Sequence, residues 1–212
     1  MKKFGLILIS IAIAGMVYSQ DDGGDKEIKT LINGDITHGG YFGTVLKVAN
    51  TAGEDGLWVG GKLVWVINHN FGLGIEGYGL TTSNTLWASS YNGWITKKSI
   101  GTGYGGLVIE YSPLSHKVVH LSVPVLIGAG GVGVYDRDEY TMYSEYRNFE
   151  AASPYFIVEP GVLAELNVAK FLRIAVGASY RYASGLNLGS YDLSDQDFSG
   201  LSYNFAIKFG LF

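Results

Sequence analysis

Two stretches decide the fold: 172-LRIAVGASYRY-182 and 201-LSYNFAIKFGLF-212. In the first, Leu172, Ile174, Val176, Ala178, Tyr180 and Tyr182 hold alternate positions, with Arg173, Ala175, Gly177, Ser179 and Arg181 between them. In the second, Tyr203, Phe205, Ile207, Phe209 and Leu211 alternate with Ser202, Asn204, Ala206, Lys208 and Gly210. A period of two indicates β-strands, because successive side chains leave a strand on opposite faces. Two architectures fit one such strand. A soluble sandwich buries the apolar face, whereas a membrane barrel turns that face to lipid and keeps the polar face in its lumen.

Working outward, the same alternation recurs over about Gly40–Ala49, Leu57–Ile67, Phe71–Leu80, Ile100–Tyr111, Val118–Tyr135 and Tyr155–Val168. The spacing therefore predicts eight strands. The connections at Asn68–Asn70, Pro113–Lys117 and Ala169–Phe171 are tight, and Asn50–Gly56 is intermediate. Those at Thr81–Ser99, Asp136–Pro154 and Ala183–Gly200 are long. An even strand count with short turns at one end and long loops at the other is the pattern of an antiparallel up-and-down transmembrane β-barrel. Strands of about ten residues match the span of a tilted strand across a bilayer. In lipid only a closed sheet satisfies every backbone group.

Composition agrees. The 212 residues are 47% hydrophobic and only 16% charged, with 31 glycines, 15 tyrosines and no cysteine. Disorder requires more charge and fewer aromatics. The lack of cysteine rules out a disulfide scaffold and a thiolate metal site. Past the first twenty residues no apolar run approaches the length of a spanning helix. The formal net charge of −4 argues against nucleic-acid binding.

The N-terminus has the form of an export signal. Lys2 and Lys3 precede the apolar run Phe4–Val17, and Ser19 offers a cleavage site before Gln20. We therefore expect a signal peptide over 1–19, a linker over 20–38 and an outer-membrane barrel over 39–212.

The strand phase also lists the lumen. Lys47, Lys62, Glu76, Glu110, Glu159, Glu165, Arg173, Arg181 and Lys208 are expected to point inward as a charge-paired network. Unpaired charges in a narrow interior are costly, and an eight-stranded barrel is only wide enough for side chains to fill it. Inward glycines (Gly60, Gly72, Gly74, Gly106, Gly128, Gly161, Gly177 and Gly210) would make room for the long side chains. The expectation is a plugged barrel without a continuous pore. Tyr135, Tyr155 and Tyr182 are expected in the interfacial girdle.

Three stretches carry a resemblance: 59-VGGKLVWVINHNFGLGIEGYGL-80, 107-LVIEYSPLSHKVVHLSVPVLIGAGGVGVY-135 and 156-FIVEPGVLAELNVAKFLRIAVGASYRY-182. They resemble the small outer-membrane β-barrels typical of Bacteroidetes, broadly similar to eight-stranded OmpX/OmpA-type barrels. The resemblance covers roughly residues 38–212 and implies the fold without a catalytic residue. The terminal strand ending in Phe212 resembles the signal read by the barrel-assembly machinery, although Phe205, Ile207 and Phe209 are out of phase with Phe212 by one.

The remaining chemistry is sparse. His120-Leu121-Ser122 resembles the His/Ser pair of lipid A deacylase barrels, but the phase turns both residues inward and near the tight turn at Pro113–Lys117. Asp192, Asp195 and Asp197 lack the spacing of a calcium loop. No phosphate loop, metal-ligand cluster or nucleophile elbow appears, so neither a cofactor nor a metal is expected. Two loops are rich in aromatics: Trp87, Tyr91 and Trp94 in one, and Tyr140, Tyr143, Tyr146 and Phe149 in the other. These are candidates for protein or carbohydrate contact. Acidic residues such as Asp136, Asp138 and Glu139 suit the divalent ions that bridge lipopolysaccharide. The leading expectation is a non-enzymatic structural or interaction protein. The alternatives are a narrow channel, an accessory subunit of an envelope complex and, last, a lipid-modifying enzyme.

Overall fold

The computed structural model describes residues 36–89, 95–136 and 149–212. The expectations for Tyr91, Trp94, Tyr140, Tyr143, Tyr146 and the segments 1–19 and 20–35 lie outside the described residues.

The strands are β1 (His38–Thr51), β2 (Glu54–Ile67), β3 (Phe71–Leu80), β4 (Thr85–Ser89), β5 (Ile95–Tyr111), β6 (Val119–Asp136), β7 (Phe149–Ala169), β8 (Leu172–Ser184) and β9 (Gly200–Leu211). Eight of them close a barrel. β1 pairs with β2, β2 with β3, β3 with β5, and the order continues through β6, β7 and β8 to β9, which returns to β1. Every pairing is antiparallel. A circuit leaving β1 at Tyr41 passes Val64, Gly74, Val108, Leu126, Glu159, Arg181 and Gly200. It rejoins β1 beside Thr51, ten residues further on. Such a stagger is what tilted strands need to close.

The fourth strand corrects the expectation that 81–99 is a plain loop. β4 pairs with the start of β5, with Thr85 opposite Ser99 and Ser89 opposite Ile95. It takes up where β3 stops, after a two-residue slip in register against β5. Asn84 makes the step: its side-chain amide donates to the carbonyls of Thr51 and Glu54, and its own carbonyl accepts from Ile100. The first connection is also tighter than expected. β1 and β2 run to Thr51 and Glu54, leaving Ala52 and Gly53 with φ of 53° and 82°. Positive φ at both central residues matches the twist of a two-residue hairpin, and glycine adopts it without strain.

Side chains obey the alternation around the whole barrel. Phe42, Leu63, Ile75, Leu107, Val162, Tyr203 and Phe209 stand exposed on the outside. Inside, Trp58, Tyr78, Ile100, Tyr104, Leu126, Ile157 and Phe198 form an apolar cluster toward the loop end. Tyr41, Val64, Val66 and Val108 form a smaller one toward the turn end, with Phe212 packed on it. Tyr155 corrects the girdle expectation. It faces inward, 3% exposed, with its hydroxyl 3.0 Å from Thr102 Oγ1.

The connection between β8 and β9 folds back into the mouth. It carries two 3₁₀ turns, Gly189–Tyr191 and Asp195–Phe198, and buries Leu188, Leu193 and Phe198. Asp197 accepts from the Ser194 N–H at 2.8 Å, and Asp195 from the Leu186 N–H at 2.8 Å. Two of the three loop aspartates are thus engaged in holding the loop.

Close approach of strands fixes several glycines. A Cβ on Gly177 would meet the Val162 carbonyl oxygen at 2.1 Å and Leu163 Cα at 2.7 Å, whereas one on Gly131 would meet nothing within 4 Å. Gly177→Val should therefore destabilise the barrel by about 1–3 kcal/mol or more through overpacking, and Gly131→Ala should leave it nearly unchanged. Urea unfolding in detergent, followed by tryptophan fluorescence, measures the difference.

Candidate functional site

The barrel interior gathers the charged residues. Lys47, Lys62, Glu76, Glu110, Glu159, Glu165, Arg173, Arg181 and Lys208 are all buried, none more than 9% exposed. Each lies on the polar phase of its strand, so the alternation that turns Leu63 or Phe209 outward turns Lys62 or Lys208 inward.

Glu110 on β5 is the centre of the larger group. Its oxygens accept from Lys208 Nζ at 2.8 Å, Lys62 Nζ at 3.0 Å and the Tyr41 hydroxyl at 2.9 Å. Lys208 also bonds Glu165 on β7, which lies 3.3 Å from His120 Nε2 and 3.8 Å from Arg173 Nη1. Lys62 reaches Glu76 on the neighbouring strand at 3.8 Å. A second group sits nearer the loop end. Lys47 Nζ donates to Glu159 at 2.7 Å and stands 3.5 Å from the centre of the Tyr78 ring. Glu159 also accepts from the Tyr104 hydroxyl at 2.7 Å and from Ser179. Charge pairs this well bonded offset part of their desolvation cost.

Arg181 closes the column under the loops. Its Nε donates to the Phe198 carbonyl at 2.7 Å, and its Nη2 to the Asn50 carbonyl at 3.1 Å and to Thr51 Oγ1 at 3.3 Å. Its guanidinium lies 4.6 Å from the centre of the Trp58 ring. Between the two charged groups a void of about 20 Å³ is lined by Lys47, Lys62, Glu76, Glu159, Ser179 and Asn204, among others. That is room for about one water.

His120 and Ser122 both face the interior, at 5% and 0% exposure. His120 Nδ1 lies 3.2 Å from the Lys117 carbonyl. Ser122 Oγ makes no hydrogen bond among the described residues. The carboxylate facing His120 is Glu165, which sequence reasoning named as a luminal charge without joining it to the histidine. The two residues sit opposite one another on paired strands. Strand order would have brought them together, but no sequence signal fixes that register.

The aromatic candidates divide. Trp87 is 70% exposed but belongs to β4, where it pairs with Lys97. Phe149 opens β7, opposite Tyr135, and so lies on a strand where a loop was expected. Phe212 turns inward. Its ring centre is 5.4 Å from that of Tyr41, and its carbonyl oxygen is 2.8 Å from His69 Nδ1. Among the described residues no group of three or more His, Asp or Glu side chains is arranged to hold a metal ion.

No protein-family model and no curated protein matches the chain. Solved structures do. Neisserial surface protein A aligns with a TM-score of 0.55 at 10% identity, over 83% of this chain and 99% of that one. The fold is that of an eight-stranded outer-membrane barrel. A major outer membrane protein from Thermus thermophilus aligns with a TM-score of 0.50 at 12% identity, over 81% of this chain and 99% of that one. At these identities the likeness concerns the backbone path alone.

Removing Glu110 leaves Lys62 with Glu76 alone, at 3.8 Å, and Lys208 with Glu165 alone. Glu110→Ala should cost about 3–5 kcal/mol, the range for breaking a buried ion pair from one side. Glu110→Gln, which keeps an acceptor oxygen for the lysines, should cost clearly less, which urea titration of the two variants against the wild type would show.

Proposed function

We propose that this chain is a non-enzymatic outer-membrane protein whose lumen is plugged and whose work is done at its loop end. The observation that carries the reading is the filled interior: eight charged side chains buried against one another, with Arg181 above them, beneath a mouth occupied by Leu188, Leu193 and Phe198. The exposed apolar band outside suits lipid, and the burial of His120 and Ser122 leaves a substrate no approach from the bilayer. On this reading residues 1–19 are a cleaved signal peptide, residues 20–38 are a linker except where His38 already starts β1, and the turn end faces the periplasm. Kinship with the small Bacteroidetes-type barrels rests on the three segments quoted above.

The partners follow from the same placement. Lipopolysaccharide and its divalent ions would meet the acidic loop end, and the barrel-assembly machinery would read the terminal strand up to Phe212. The exposed ring of Trp87 supports a protein or carbohydrate partner at the loops, with Tyr91, Trp94, Tyr140, Tyr143, Tyr146 and Phe149 as further contact candidates. The interaction role is tested by mild detergent extraction and pull-down with the full chain and with residues 137–148, between β6 and β7, replaced by a Gly-Ser linker. A partner retained only by the full chain supports it, and the same proteins captured by both forms would sink it.

The plug has its own test. In planar bilayers the purified barrel should give no large stable conductance, and sustained open-channel steps would mean that the charge network leaves a path.

A further inference from the structure

At the turn end an open groove of about 550 Å³ is lined by Ser115, His116, Asn167, Lys170, Arg173 and Phe212, among others. Arg173 lines this groove and is only 7% exposed, with its guanidinium carbon 3.9 Å from the centre of the Phe212 ring. Its donors are poorly used. Nη2 reaches the Ser115 carbonyl only at 3.5 Å, Nη1 stands 3.8 Å from Glu165, and buried Nε has no hydrogen-bond partner among the described residues.

Arg181, at the other end of the lumen, gives the comparison. Its Nε and Nη2 make bonds of 2.7, 3.1 and 3.3 Å to the loop and to β1, and only Nη1 is left without a partner among the described residues. A guanidinium carries five donors in a fixed fork, and a buried one left short of acceptors is completed by an incoming oxyanion. Glu165 meets that need only in part: Oε1 is taken by Lys208, and Oε2 stands 3.3 Å from His120 Nε2 and 3.8 Å from Arg173 Nη1 without a hydrogen bond to either.

The surroundings define the anion. His116 and Lys170 stand exposed on the rim, and no carboxylate side chain is among the lining residues. Two cationic side chains with a histidine beside them around one groove suit a multiply charged tetrahedral oxyanion better than a single carboxylate. Beside the groove, Val168, Phe171 and Leu211 present apolar side chains that are half or more exposed. A ligand with an anionic head and acyl chains satisfies both features.

We propose that this groove is a phosphate-binding site, with Arg173 as its anchor and Lys170 and His116 at its rim. The ligand chemistry is a phosphate group, supplied by a phospholipid headgroup at the membrane surface or by soluble phosphate. The lipid source rests on the membrane-spanning reading above, whereas the anion site does not.

The test uses the full barrel in a neutral detergent, titrated separately with short-chain phosphatidylglycerol and with inorganic phosphate. Binding is followed through the ¹⁵N signal of Arg173 Nε. The wild type should bind the lipid saturably and inorganic phosphate more weakly. Lys170→Gln, on an exposed turn, and Arg173→Gln should each weaken binding about tenfold, with heat-modifiable gel mobility reporting that both are folded. For Arg173→Gln the readout is the signal of Phe212. Equal binding of inorganic phosphate and lipid would overturn the lipid source and leave a soluble-phosphate site. No saturation by either ligand, or unchanged affinity in folded Lys170→Gln and Arg173→Gln, would overturn the site itself. Failure of the plugged-barrel reading would appear separately, as bilayer conductance.

Discussion

Everything in this barrel depends on the pairing of its last strand with its first. A backbone surrounded by apolar medium has no water to satisfy its N–H and C=O groups, so a sheet with an open edge would leave two rows of them unpaired. The pairing from Gly40 opposite Leu211 to Ala49 opposite Ser202 removes that edge. Closure then sets the rest. It divides side chains into an outer and an inner set, fixes how narrow the inner space is, and forces any charge on the inner set to find a partner there.

The two charged groups answer that constraint in different ways. Around Glu110 the partners come from strands far apart in sequence, β1, β2 and β9, so that one carboxylate joins opposite walls. Around Glu159 the lysine is supported by aromatic faces and hydroxyls as well as by the carboxylate. Both arrangements need small residues nearby. A Cβ at Gly60 would fall 2.2 Å from the Tyr78 ring. Buried pairs of this kind contribute little net stability, and apolar side chains could fill the same space. Their presence across the whole height of the lumen has a bearing on specificity, since mispaired strands would misplace several charges together.

Much of this was legible in the sequence, for a physical reason. A period of two is local, and once one face is known to be polar, residues such as Lys47, Glu159 and Lys208 fall inside by counting. The tight turn at Asn68–Asn70 announces itself by residues that tolerate left-handed backbone, and Asn68 and His69 do adopt it. The failures have other causes. Tyr155 is the exception, since it shares the inward phase of Glu159 and Glu165 on β7 and counting alone turns it into the lumen. The burial of Phe198 depends on contacts with strands distant in sequence, whereas the short strand holding Trp87 and the place of Phe149 on β7 come from hairpin pairings with β5 and β6. Arg173 lies on the inward phase of its strand, yet its weak bonding there follows from side-chain geometry that no pattern encodes.

The β8–β9 connection has a bearing on the order of assembly. Ala52, in the turn after the first strand, donates its N–H to the Asp197 carbonyl, and Arg181 reaches across to Asn50 and Thr51. These bonds join segments at opposite ends of the chain, and they can form only after the last strand has met the first. The connection is therefore a clasp over the seam. It can fasten only on a finished cylinder, and once fastened it opposes the fraying of the one junction that forms between the chain's two ends.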